Sequence, residues 1–316
     1  MIRTRGLVKR YGAFTAVNGI DLNIPRGEIY GFLGPNGAGK TSTIMMLLGI
    51  TPPTAGEIHL FGERYSPRRL DLRRRIGVVP EKHPRGVWHW MSAAEYLRLF
   101  ADIFEVPRPN ERIGMLLEKV DLAAFQKRRI RDFSRGMLQK LSIIRALLAD
   151  PDILFLDEPI SGLDPLGIKQ VRDLILSENR EGRTIFISSH QLSEMEKICD
   201  RVAIISRGRL IAEDAMERIL SRISSDREIR VELETVPAAL PARVKGLPFV
   251  RDAAAAGTVL TVKIPREGDF RKPLAEFLIS QGLVALSLAE KALSLEEAFI
   301  TITQENVVEL AERGRE

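Results

Sequence analysis

Residues Gly34-Pro35-Asn36-Gly37-Ala38-Gly39-Lys40-Thr41 fill every position of the pattern G-x-x-x-x-G-K-[ST], and no other stretch constrains the fold as strongly. The run Glu28-Ile29-Tyr30-Gly31-Phe32-Leu33, apolar after its first residue, leads into it, and a helix-like segment from Thr41 to Leu48 follows. Strand, glycine-rich turn and helix start are the setting in which successive backbone N–H groups curl round a phosphate. Gly37 and Gly39 permit that backbone path. Lys40 adds a point charge toward the β- and γ-phosphates, and the Thr41 hydroxyl is a ligand for Mg2+. An ordinary turn before a helix is the competing reading, and the complete pattern in its proper setting weighs against it. The loop alone leaves open what phosphate chemistry it serves, because kinases, GTPases and motors share it.

The periodicity around the loop predicts an α/β fold. Residues 2–9 and 19–24 read as strands, and Gly56 to Gly62 alternates as a half-exposed strand should. Ile76-Gly77-Val78-Val79 is a compact buried strand ending at Pro80. Helical spacing then dominates from Ser92 to Leu148. Ser92-Ala93-Ala94-Glu95 matches a capping box, and Leu97, Phe100, Ala101 and Phe104 fall on one face. Further helices are expected over 109–119 and from Ser134 to Leu148. After Pro151 the strands Ile153–Leu156, Thr184–Ser188 and Val202–Ile205 alternate with helices over 165–179 and 191–199. Such alternation implies a mainly parallel, helix-covered sheet interrupted by a helical insert at about 82–150.

At 316 residues the chain exceeds the usual single core, so a second domain is expected. It begins near Asp226. Strands at Glu228–Glu234, Phe249–Ala254, Thr258–Ile264 and 283–288, helices over 238–245 and 270–281, and a last helix from Ser294 give the order β-α-β-β-α-β. That order suggests a small ferredoxin-like α+β domain. The expected division is 1–222, 226–304 and a charged tail at 305–316.

Charge is uneven between the parts. Residues 1–222 hold 35 Lys+Arg against 27 Asp+Glu, whereas 223–316 hold 12 against 15. The basic surplus clusters at Arg64–Arg75 and Lys127–Arg135. Nucleic acid, an anionic membrane surface, nucleotide phosphates or plain solvation of a basic face could each answer to it. One cysteine, Cys199, excludes an intramolecular disulfide framework, and its helical spacing with Leu192, Met195 and Ile198 reads as a buried thiol. No 18-residue apolar run exists, and Met1-Ile2-Arg3-Thr4-Arg5 lacks a signal-peptide core, so a chain that does not itself cross a membrane is expected.

Four further elements carry chemistry. Ile153-Leu154-Phe155-Leu156-Asp157-Glu158 is an apolar strand ending in two carboxylates; beside the phosphate loop, Asp157 could hold Mg2+ and Glu158 could polarise an attacking water. Alone, such an ending is commonplace. Phe133-Ser134-Arg135-Gly136-Met137 precedes a helix, with Ser134 placed as its N-cap. Ser161-Gly162-Leu163-Asp164 follows the carboxylates, and Ile187-Ser188-Ser189-His190 ends the next strand. His59, His83 and His89 show no metal-ligand spacing.

In this order the elements resemble the ATP-binding-cassette ATPases over about residues 2–220. The resemblance implies a P-loop NTPase cassette with a mainly parallel sheet, an antiparallel β subdomain and a helical insert. Ser134 and Gly136 match the family signature L-S-G-G-Q, while Phe133, Arg135 and Met137 depart from it. Arg135 would add charge at a phosphate or lie on the surface. Ser161 to Asp164 is similar to the D-loop S-A-L-D, and His190 to the switch histidine that contacts the γ-phosphate. Tyr11, in Val8-Lys9-Arg10-Tyr11-Gly12, sits where the family stacks an aromatic on adenine, and Ser42 continues the phosphate loop. Glu81 takes the place of a glutamine that bridges Mg2+, water and the membrane partner.

With its acidic second domain, the whole chain resembles the ATPase component of ABC-2-type exporters. That resemblance implies ATP and Mg2+ as ligands and a head-to-tail dimer, homodimeric or heterodimeric. Each site would combine the phosphate loop, Asp157, Glu158 and His190 of one copy with the signature and D-loop segments, Ser134 to Met137 and Asp164, of the other. It further implies a separate integral membrane permease, a peripheral place on the cytoplasmic face of the membrane, and no nucleic-acid partner. Trp88 and Trp90, in the basic loop after Glu81, are the expected permease contact, with packing under the helical insert as the other reading. A soluble cassette ATPase acting on ribosomes or nucleic acid is the rival; such proteins carry two cassettes, a long coiled coil or a zinc module, none of which is present here.

Overall fold

The computed structural model describes residues 1–66, 68–81, 88–223, 226–265, 268–291 and 295; the helix expected from Ser294 and the tail at 305–316 lie outside the described residues. The chain divides into two compact units, the first covering Met1–Met216 and the second beginning at Glu217.

The first unit opens with a long hairpin, β1 (Ile2–Tyr11) and β2 (Phe14–Ile24), in which Tyr11 stands opposite Phe14. Both strands outrun the expected 2–9 and 19–24. Register shifts between Thr4 and Leu7, Leu7 and Val8, and Lys9 and Arg10 break the two-residue alternation by which a strand is recognised. Strand β3 (Ile29–Leu33) is buried throughout and delivers the chain into the glycine-rich loop and α1 (Lys40–Leu47). Then come β4 (Ala55–Leu60), the two-residue β5 (Glu63–Arg64), α2 (Leu70–Arg73) and β6 (Ile76–Val79).

The helical insert follows as α3 (Ala93–Ile103), α4 (Pro109–Lys119) and α5 (Arg135–Leu147). The capping box of α3 is formed: the Glu95 N–H donates to Ser92 Oγ at 3.2 Å, and the Ser92 N–H to Glu95 Oε2 at 2.8 Å. Leu97 and Ala101 are buried beneath it. Alternation of strand and helix resumes with β7 (Ile153–Asp157), α6 (Pro165–Arg180), β8 (Thr184–Ser189), α7 (Leu192–Met195), β9 (Arg201–Ser206) and β10 (Arg209–Ala215), and α8 (Met216–Ile223) then crosses the boundary into the second unit. The helix expected over 191–199 is regular only in α7. Beyond it the N–H groups of Lys197 and Ile198 reach carbonyls three residues back, a tighter turn that still buries Ile198 and Cys199. Strand β10 escapes the sequence pattern because it is half-exposed along most of its length and never alternates.

Two sheets result. One is antiparallel, in the order β2-β1-β4-β5. The other has six strands, β10-β9-β3-β8-β7-β6, and all its pairs are parallel except β10 with β9. Strands β3, β7 and β8 are buried at every residue, which is why they read as continuous apolar runs. The Phe186 ring lies 5.4 Å from those of both Phe32 and Phe155. Register sets Leu33 level with Ser189, and Asp157 level with Ser188. The carboxyl ends of the three central strands therefore share one edge, where open α/β sheets bind ligands.

The second unit contains β11 (Asp226–Leu233), α9 (Leu240–Lys245), β12 (Asp252–Ala256), β13 (Val259–Pro265), α10 (Arg271–Ser280) and β14 (Ala285–Lys291). Its sheet runs β12-β13-β11-β14, antiparallel throughout, which is the ferredoxin-like order. Strand β12 starts three residues later than the Phe249 expected. Phe249 instead stacks on Phe270 at 5.0 Å, and Val250 closes a turn onto the Leu247 carbonyl.

Candidate active site

The loop between β3 and α1 is wedged between strands. A side chain at Gly34 would bring its Cβ to 2.4 Å from the Ile205 carbonyl oxygen, and one at Gly39 to 2.5 Å from that of Ala16. Gly39 also has φ of 109°, a conformation that favours glycine. Lys40, buried, folds back over its own loop: its Nζ donates to the Gly34 carbonyl at 2.7 Å and the Pro35 carbonyl at 3.3 Å, and lies 3.5 Å from Glu158 Oε1. Ala38 is buried behind the loop, donating to the Pro35 carbonyl and accepting from Gly208.

Tyr11, Pro35, Asn36, Gly37, Gly39, Lys40, Thr41, Ser42, Glu81, Glu158 and His190 line one cleft of about 540 Å³. Asp157 sits beneath it. Thr41 Oγ1 donates to Asp157 Oδ2 at 3.4 Å, and Ser188 Oγ to Asp157 Oδ1. Glu158, at φ of 49°, leaves the strand in a left-handed turn that aims its carboxylate at the cleft. His190 Nδ1 lies 2.8 Å from Glu158 Oε2.

Of the segments after the carboxylates and before α5, Ser161 reaches this cleft, whereas Gly162, Asp164 and Ser134 to Met137 do not line it. Ser134 Oγ accepts from the Met137 N–H at 3.2 Å and caps α5, next to the half-buried Gly136. Asp164 caps α6 in the same way, accepting from Gly167 at 2.8 Å. Exposed Arg135 donates from Nη1 to the Gly162 carbonyl at 3.2 Å, so within one chain it joins the two segments and does not reach the phosphate loop.

A family model described as "ABC transporter" matches residues 17–161. The bacitracin transport ATP-binding protein BcrA of Bacillus licheniformis is 45% identical over 223 residues, covering 70% of this chain and 72% of that protein. The daunorubicin/doxorubicin resistance ATP-binding protein DrrA of Streptomyces peucetius is 34% identical over 312 residues, 96% of this chain and 92% of its own, and so spans both units. The chain belongs to the ABC transporter ATP-binding family. A solved ATP-binding subunit of an ABC transporter superposes with a TM-score of 0.64 at 29% identity, over 70% of this chain and 92% of its own. The family hydrolyses ATP.

The electrostatics of the cleft bear on whether its residues suit a divalent cation. Burial, more than any other cause, raises the Asp157 carboxyl pKa; the Ser188 and Thr41 hydroxyls lower it, and the Glu81 and Glu158 carboxylates raise it. Three acidic groups thus crowd one place, with Lys40 beside Glu158. A hydroxyl and a buried carboxylate at the foot of a phosphate site are the donors Mg2+ takes when phosphates and waters complete its shell. The residues fit that ion.

Three features of the cassette were not read from its motifs. Phe14 lines the cleft across the hairpin from Tyr11, and Ser188 and Ser189 each bond one carboxylate. The basic run Arg64–Arg75 is largely neutralised: Arg64 pairs with Glu57, Arg69 with Glu63 and Asp71, Arg74 with Glu105 and Arg75 with Asp152. That pairing favours a solvated face. Trp88 is half-buried, its ring 6.1 Å from Tyr96 and 5.9 Å from Phe100, whereas Trp90 is 67% exposed. An apolar cleft of about 610 Å³ opens elsewhere, with Ile50 and Leu70 64% exposed on its walls and Ile103 59%.

Proposed function

We propose that this chain is the ATP-hydrolysing subunit of an ABC-2-type exporter, a peripheral protein on the cytoplasmic face of a membrane that energises a separate integral permease. The observation that carries the reading is the meeting of Lys40, Thr41, Glu158 and His190 in one cleft above Asp157. The names of BcrA and DrrA, for bacitracin transport and drug resistance, support export.

ATP places its phosphates on the loop Gly34–Ser42 and its base on Tyr11, with Phe14 across the hairpin as a second aromatic surface; such stacking is worth about 1–3 kcal/mol per base. Thr41, Asp157 and Glu81 would hold Mg2+, which would supply positive charge to the phosphates. Glu158 takes a proton from the attacking water, and His190, at the Glu158 carboxylate, faces the γ-phosphate. Lys40 lies against Glu158. The arriving phosphate offers Lys40 a better partner and leaves Glu158 able to accept the proton. Ser134, Gly136 and the backbone of Met137, with Asp164 beside them, complete the site of a second copy, so binding closes a homodimer, or a heterodimer with a related cassette. Losing the γ-phosphate reopens it.

Residues 1–222 form the working cassette, 226–304 an accessory domain and 305–316 a tail. The permease docks on apolar surface of the first unit, at the cleft bearing Ile50, Leu70 and Ile103 and at Trp90. The test is mild detergent extraction of the tagged chain from its own cells, followed by identification of what co-purifies. An integral membrane protein whose presence raises ATP turnover is expected; ribosomes or nucleic acid in its place would overturn the reading.

A further inference from the structure

We infer that Ser188 and Ser189 are positioning residues that divide the two carboxylates between them, Ser188 setting Asp157 for the cation and Ser189 setting Glu158 for the water. The inference deepens the proposed hydrolytic site and rests on that reading.

The division follows from strand geometry. Strands β7 and β8 are parallel neighbours, with Asp157 level with Ser188, and the Glu158 N–H still donates to the Ser188 carbonyl at 3.0 Å. Successive residues of a strand point to opposite faces, so Ser188 and Ser189 present their hydroxyls in opposite directions. Both are fully buried, and a buried hydroxyl is costly unless bonded. Each finds a different carboxylate. Ser188 Oγ donates to Asp157 Oδ1. Ser189 Oγ accepts from the Gln191 N–H at 3.0 Å, which leaves its own proton for Glu158 Oε2, 3.4 Å away.

The consequence is the same at both acids. One oxygen is tied back to a serine, and the other is turned toward the phosphate loop. Asp157 keeps Oδ1 on Ser188 and shows Oδ2 to Thr41. Glu158 keeps Oε2 on Ser189 and His190 and shows Oε1 to Lys40. An oxygen held in this way fixes the rotamer of its partner, which is how outer-shell groups orient ligands and bases. The hydroxyls bond the two acids and act through them.

The experiment compares Ser188→Ala and Ser189→Ala in the full chain, with Glu158→Gln and Ser189→Thr alongside. Steady-state turnover is read against ATP and against Mg2+, Mn2+ affinity is read by titration with a non-hydrolysable ATP analogue, and melting temperature is read for every variant. Ser188→Ala should weaken Mn2+ binding about tenfold, and raising Mg2+ should recover its lost turnover; Ser189→Ala should lower kcat about tenfold with KM and Mn2+ affinity unchanged. Ser189→Thr, which keeps the hydroxyl, should restore kcat. Equal losses of both properties in both alanine variants, tracking melting temperature, would reduce the serines to packing and overturn the inference. So would normal kcat in Ser189→Ala while Glu158→Gln is inactive. Normal turnover by Glu158→Gln would instead remove the hydrolytic reading beneath it.

Discussion

The six-stranded sheet of the first unit and the four-stranded sheet of the second both have apolar cores, yet among the described residues only the first buries charge. Lys40, Asp157, Glu158, Ser188 and Ser189 are all buried at one edge of the first. Among the described residues, every buried side chain of the second unit is apolar, from Ile229, Val231 and Leu233 on β11 to Leu260, Val262 and Ile264 on β13. The difference lies in strand direction. Parallel neighbours finish at the same edge, so the residues that end β3, β7 and β8 meet round one loop. Antiparallel neighbours finish at opposite edges, and a sheet such as β12-β13-β11-β14 has no equivalent place to pool its terminal residues. Buried charge belongs to the first sheet; the second offers a packed apolar body.

The largest effect that tests this contrast is at Glu158. Replacing it with glutamine keeps the shape and removes the base, so kcat should fall by about 10²–10⁴-fold while ATP binding survives. Trapped ATP should then accumulate closed dimer, visible by size-exclusion chromatography with nucleotide. Turnover at the ordinary rate would show that the charged edge is not where water is activated.

In the second unit the corresponding blow is to packing. Leu260 is fully buried in the apolar core of that sheet, and Leu260→Ala should cost about 2–5 kcal/mol of stability there. A denaturant titration should report the loss, and a nucleotide titration should find ATP affinity unchanged. A parallel loss of ATP affinity would mean that the second sheet supports the first one's chemistry after all.

These two sheets were not equally legible, nor were the parts of the site. Fixed spacing exposes Gly34–Thr41 because local backbone chemistry demands those residues in sequence; Asp157, Glu158 and His190 were legible through their resemblance to a family's motifs, and buried strands announce themselves by apolar runs. The β-α-β-β-α-β order of the second unit was readable for the same reason. What hid were facts about neighbours in space. Phe14 becomes an aromatic of the cleft only through its pairing with Tyr11. Ser188 and Ser189 read as the polar end of a strand until β8 is laid against β7. The bond from Arg135 to the Gly162 carbonyl joins positions 27 residues apart that no spacing rule connects. Strand β1 was under-read because its bulges cancel the alternation.

A smaller effect is expected at Trp90, which tests whether the first unit's exposed apolar surface is as specialised as its charged edge. Trp90→Ala should leave the ATPase of the isolated chain unchanged, because Trp90 does not line the nucleotide cleft. It should weaken association with the co-purifying permease by about 2 kcal/mol, the cost of removing one interface anchor. Association at full strength, measured by detergent pull-down, would shift the docking surface to Ile50, Leu70 and Ile103.

The smallest effect is expected at Glu81, and it asks how much negative charge the edge needs. Glu81 raises the Asp157 carboxyl pKa by like-charge repulsion, in the same direction as burial and as Glu158. Glu81→Gln removes that repulsion, so the Asp157 pKa falls toward the ordinary carboxylate range and Asp157 ionises at lower pH. The sign for activity follows: a reaction that requires ionised Asp157 should gain on the acid side, moving the acidic limb of its pH–rate profile downward. A carboxylamide at 81 keeps an oxygen toward the cleft, so hydrolysis near neutral pH should stay within about tenfold of the parent, less than one pKa unit's worth of energy. The measurement is kcat across pH at saturating ATP and Mg2+. Loss of all turnover would mean that the Glu81 charge itself is required, and the acidic edge would then be a working set of three carboxylates, not a pair with a neighbour.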